Sequence, residues 1–155
     1  MTLRNFKSHP CSQARAAALQ FLYQCMCENL FYFSEPHFVS FANHFSIDGK
    51  VARLAQPLVA GALHHLTAID ESISNASHHW ALERIARTDL CALRIACYEL
   101  VYTDNSPSIV ISEAVNLSRH FGSSQSASFV NGVLDHIMGL RSVEEPYSSP
   151  KTVHS

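Results

Sequence analysis

The chain has 155 residues, 47% of them hydrophobic and 15% charged, with a formal net charge of −2. That length suits one domain with a sizeable core, and the charge balance excludes a general electrostatic pull toward nucleic acid or membrane, leaving only a local patch. No run approaches the roughly 18 apolar residues of a membrane span and no apolar secretory segment opens the chain, so a cytoplasmic protein is expected.

Residues 1–11 carry Arg4 and Lys7 with no acid and read as a flexible arm. From Ser12, a plausible N-cap, the apolar positions Ala14, Ala18, Phe21, Leu22 and Cys25 follow helical spacing and predict a first helix to about Glu28. Arg15 and Tyr23 fall off that stripe and are expected on the surface. Ser34-Glu35-Pro36 opens a second helix, to about Phe45, whose Phe38, Phe41 and Phe45 form a core face. Asp48-Gly49 then caps a long third helix marked by Val51, Ala55, Ala62, Leu66, Ile69 and Ile73. Pro57 sits inside it and predicts a kink near Arg53 or Leu54.

Trp80 to Ile85 reads as short turns, and Thr88-Asp89 caps the next helix, with Leu90, Leu93, Cys97, Leu100 and Val101 inward. Asp104-Asn105-Ser106-Pro107 is a turn. A helix from about Ser108 to His120 stops at Gly122, and a last one from about Gln125 to Met138 stops at Gly139. Residues 141–155 turn to Ser, Pro and Glu and read as a disordered tail. The sum is an all-α domain over 12–140, with about seven helices and no required strand.

Motifs for nucleophilic catalysis, phosphate cradling or dinucleotide binding do not occur, so no enzyme activity and no cofactor are expected. The five cysteines are odd in number, lie mostly in apolar helical contexts and suggest reduced thiols. Ten histidines raise a metal site, but His64-His65 and His78-His79 are adjacent pairs, which point about 100° apart on a helix, and no metal is expected. Glu99 and Glu113 are read as half-buried partners of Arg94 in an ion-paired network. Asn131 and Gly132 interrupt the apolar stripe of Val130, Val133, Leu134 and Ile137. Gly132 costs about 1 kcal/mol relative to Ala in a helix, so a close approach of another chain segment is expected there, with Asn131 locking the last helix to the Arg94–Glu99 helix.

The ordered stretches Ala14 to Tyr23, Leu93-Arg94-Ile95-Ala96-Cys97-Tyr98-Glu99-Leu100, Ile111 to Leu117, Phe121-Gly122 and Phe129-Val130-Asn131-Gly132-Val133-Leu134-Asp135 resemble the NusB family of transcription antitermination factors. The resemblance spans about residues 12 to 138 and implies two small packed helical bundles and a non-enzymatic role. It implies binding of boxA RNA together with NusE, a small-subunit ribosomal protein, within an RNA polymerase antitermination complex. Where the family has a basic N-terminal segment this chain has Cys11, Ser12, Gln13 and Arg15, with Arg4 and Lys7 upstream. Tyr23, Asp89, Gln125 and Phe129 match further RNA-binding positions of the family; Gln125 replaces an acid. The thinned basic segment implies weaker RNA binding or greater dependence on NusE. A protein-interaction module on the same scaffold, with RNA recognition lost, is the alternative. The domain also precedes the catalytic part of ribosomal RNA cytosine methyltransferases, for which 155 residues leave no room. A homodimer is one arrangement compatible with the sequence.

Overall fold

A computed structural model describes residues 9–78 and 81–144. Among these, seven α-helices follow one another: α1 (Pro10–Glu28), α2 (Glu35–His44), α3 (Gly49–His64), α4 (Leu66–Ala76), α5 (Arg87–Tyr102), α6 (Pro107–Phe121) and α7 (Ser126–Glu144), with a 3₁₀ turn at Leu82–Arg84 before α5. The described residues contain no strand.

Several helix ends follow directly from local chemistry. Pro10 occupies the first turn of α1, where its missing N–H costs nothing, and the His9 ring nitrogen accepts from the Cys11 N–H at 3.1 Å. The helix therefore starts before Ser12, whose hydroxyl serves another purpose. Asp48 caps α3 by accepting from the Lys50 N–H at 2.9 Å. Thr88-Asp89 does not cap α5, because Arg87 is already helical and Ala86 holds the cap position. Gly139 does not end α7: the helix runs on to Glu144, so the tail expected from residue 141 begins in helix, and residues 145–155 lie outside the described residues.

The predicted long third helix is two helices. It breaks at His65, not at Pro57, which lies on the exposed face of a continuous α3, where water can replace the lost hydrogen bond. At the break, the His65 ring stacks on Tyr102 of α5 with centroids 3.7 Å apart and planes 11° from parallel. Nearby, a Cβ on Gly61 would collide with the Tyr98 ring, so this glycine lets α5 lie close across α3.

Two apolar cores form. One gathers Leu19, Phe21, Phe38, Phe41, Val51, Ala55 and Val59 from α1 to α3, with Cys91 and Ile95 of α5. Phe21 meets Phe38 and Phe41 edge to face, each pair with centroids 5.2 Å apart. The other joins Ile69 and Ile73 of α4, Leu93 and Leu100 of α5, Val110 and Ala114 of α6, and Val130, Leu134 and Ile137 of α7. α5 feeds both cores and is buried nearly all round, which is why its apolar residues show no clean stripe.

Candidate nucleic-acid interface

α1 and α5 run antiparallel. At one end Arg15 of α1 meets Glu99 near the end of α5; at the other, Cys91 and Arg87 near the start of α5 meet Met26 and Cys27 near the end of α1. Asp89 lies at this second end, and its carboxylate accepts from Ser126 at the start of α7. Gln125 and Phe129 are therefore carried to the same end by the first turn of α7, with the Phe129 N–H donating to the Gln125 carbonyl at 3.2 Å. Gln125 is exposed, and Phe129 is half-buried against the second core. The fold thus brings together Asp89, Gln125 and Phe129. Tyr23, half-buried against the first core, lies on α1 one turn before Cys27.

Arg15 does not join them. It is 9% exposed, and its guanidinium grips Glu99 with two bonds, Nη2 to Oε1 at 2.8 Å and Nε to Oε2 at 3.0 Å. Burial opposes its charge, but the hydrogen bond and charge of Glu99 outweigh that and raise its pKa further. The expected surface cation is thus turned inward, about 15 Å along α5 from Asp89 at 1.5 Å per residue. Arg4 and Lys7 lie outside the described residues.

The polar network also differs from the expected one. Glu99 takes Arg15 and the Asn105 amide, at 3.0 Å, and not Arg94. Arg94 instead reaches across to Asp70 of α4, with bonds of 2.8 and 2.9 Å that tie the two helices together. Glu113 accepts from Ser12 at 3.0 Å, while its other oxygen is buried without a partner. Asn131 is no lock: it is exposed on α7, and its amide donates to Asp135 one turn on, at 3.1 Å. Gly132 is exposed too, and a Cβ there would meet nothing within 4 Å. Val130, Val133 and Leu134 turn inward, and the helical phase carries both intervening positions out of the core. Besides Gly61, the glycine that permits a close approach is Gly122, where a Cβ would come within 2.7 Å of the Ser118 carbonyl oxygen and crowd Ser126.

Asp89 is 6% exposed with one oxygen unpartnered; burial pushes its carboxyl pKa up, and the Ser126 hydrogen bond only partly offsets this. Two exposed cations that sequence reasoning passed over stand at helix ends. Arg87 is exposed in the first turn of α5, and Arg119 is exposed in the last turn of α6, which leads into Gln125. Nothing local in the sequence marks them. No group of described residues is arranged to hold a metal ion, and no described helix is long and apolar enough to cross a membrane.

A family model described as NusB family matches residues 12–139. The chain belongs to the NusB family. Among curated NusB relatives, the transcription antitermination protein NusB of Anaeromyxobacter dehalogenans is 39% identical over 129 residues, 81% of this chain and 88% of that one. A solved structure of T. maritima NusB superposes with a TM-score of 0.72 at 28% identity, covering 86% of this chain and 93% of its own. The NusB-like fold is also seen in a crystal structure of the antitermination factors NusB and NusE in complex with dsRNA, with a TM-score of 0.75, 24% identity, and 86% and 99% of the two chains covered.

Proposed function

We propose that this chain is a transcription antitermination factor that binds boxA-type leader RNA together with a NusE-type ribosomal protein, as part of an RNA polymerase antitermination complex in the cytoplasm. Its role is binding, not catalysis. The observation that carries this reading is the joint made by the starts of α5 and α7 in a NusB-family chain: Asp89, Gln125 and Phe129 meet there, with exposed Arg87 and Arg119 close by in the chain. An aromatic ring supplies a stacking surface, and arginines supply phosphate contacts. The solved assembly of NusB with NusE and dsRNA supports the choice of partners.

The inward turn of Arg15 favours a second reading, a scaffold that docks proteins with little RNA affinity of its own. Titration of boxA RNA with and without NusE at two salt concentrations separates the two. Binding that NusE strengthens, with a salt slope of fewer than about three charges, supports the first reading with a sparse basic footprint. No RNA binding under either condition, alongside retained NusE binding, establishes the second.

A further inference from the structure

Between the α1–α2 loop and the exposed face of α3 lies a cavity of about 770 Å³, well within the size range of ligand and anchor pockets. Phe31 and Tyr32 of the loop, Pro57, Gly61 and His64 of α3, and Tyr98 of α5 line it. We infer that it is a docking groove for a short acidic peptide segment of a partner protein, one that carries an aromatic or branched apolar anchor. The anchor enters the cavity, and the carboxylates meet Lys50, Arg53 and His64 along α3. This surface goes beyond the RNA-binding reading and does not rest on it.

Shape, exposure and charge each point there. A Cβ on Gly61 would collide with the Tyr98 ring, so the glycine is what lets that ring form a wall of the cavity. The wall is stiffened by stacking: Tyr98, Tyr102 and His65 have planes within 21° of one another, and the His65 and Tyr102 rings touch at 3.7 Å. Phe31 and Tyr32 are 44% and 66% exposed, a concentration of aromatic surface facing water. The loop that presents them is anchored, since α1 ends on Asn29 in a left-handed backbone and the Leu30 N–H donates to the Cys25 carbonyl at 2.9 Å. At about 100° per residue, Lys50, Arg53, Pro57, Gly61 and His64 fall within about 80° of one face of α3. α3 carries no acid, Lys50 and Arg53 are exposed, and no ion pair among the described residues involves either. The cavity lining includes no carboxylate. Of the acids between residues 28 and 48, Asp48 caps α3 and Glu28 pairs with His37 at 3.2 Å, which leaves Glu35 of α2 against the cations. A single-stranded nucleic acid would need a cation near each phosphate, whereas Lys50 and Arg53 stand at one end of an apolar, aromatic groove. A peptide with carboxylates beside an apolar anchor matches both parts.

The test is fluorescence anisotropy on the full chain with labelled synthetic peptides of equal length: glutamates flanking a Trp-Leu pair, lysines flanking the same pair, and glutamates alone. The first is expected to bind about tenfold tighter than either of the others and to weaken as salt is raised. Tyr32→Ser and the double variant Lys50→Glu with Arg53→Glu change exposed side chains, so Tm should hold, and each is expected to weaken binding of the first peptide about tenfold. Equal binding of the glutamate and lysine peptides, no binding of the first peptide, or an affinity that both variants reproduce overturns the groove. An oligoadenylate RNA that loses affinity in both variants, while the first peptide does not, overturns it in favour of a nucleic-acid surface. Loss of NusE binding in both variants, with the first peptide unbound by wild-type protein, overturns it in favour of a NusE contact. Self-association of the wild type that Tyr32→Ser abolishes, again without peptide binding, overturns it in favour of a second copy of the chain.

Discussion

Arg15 offers the sharpest test of how the charges are allotted, because a surface cation and a buried tie respond oppositely to mutation. Arg15→Ala removes both bonds to Glu99 and leaves that carboxylate, at 1% exposure, with the Asn105 amide as its remaining side-chain donor. Breaking one side of a buried ion pair costs about 3–5 kcal/mol, since the abandoned charge stays out of water. For a chain of this size each kcal/mol moves Tm by ~2–4 °C, so a drop on the order of 6–20 °C is expected by far-UV circular dichroism. The companion double variant, Arg15→Met with Glu99→Leu, removes both charges and fills the site with apolar volume; it is expected to recover most of the loss. Its RNA affinity and salt slope should match the wild type, because the guanidinium is buried against Glu99. A single variant that loses less than about 1 kcal/mol of stability but weakens RNA binding several-fold would refute the inward placement.

Three further outcomes are expected. Asn131→Ala should cost only about 0.2–0.5 kcal/mol, the value of one exposed contact a turn apart on a helix, and a loss above about 1 kcal/mol in urea titrations would show that the side chain is buried. Asp89→Asn should raise stability near neutrality. Burial raises the native carboxyl pKa above its unfolded value, so the native state holds the proton more tightly and the contribution of Asp89 is lost as pH rises through the native pKa. The advantage of the variant should close in mild acid, and an advantage that grows as pH falls would contradict this. Alkylation of native protein by iodoacetamide should stop at Cys11 and Cys27, which are exposed. Burial pushes the Cys25 thiol up to about 11 and those of Cys91 and Cys97 up to about 12, so intact-mass analysis showing more than two adducts before denaturation would contradict their burial.

The sequence by itself determined the all-α class, most helix boundaries and family membership. Helical spacing of Phe38 and Phe41, the Asp48 cap and the helix start expected at about Ser108, which the structure puts at Pro107, are local signals that local backbone preferences read within a turn. The ordered stretches around Arg94, Glu113 and Phe129 sufficed for the family without any knowledge of contacts. Only the tertiary structure decided what these residues do. Periodicity says which positions share a face, but not which helix meets that face. Arg15 looked free because its partner, Glu99, is 84 residues away, and Arg94 was matched to the wrong acid because its partner, Asp70, is 24 residues away on another helix. The α7 stretch shows the same divide. Its stripe of Val130, Val133 and Leu134 was legible as core, whereas the outward turn of Asn131 and Gly132 is settled only once the helices are packed.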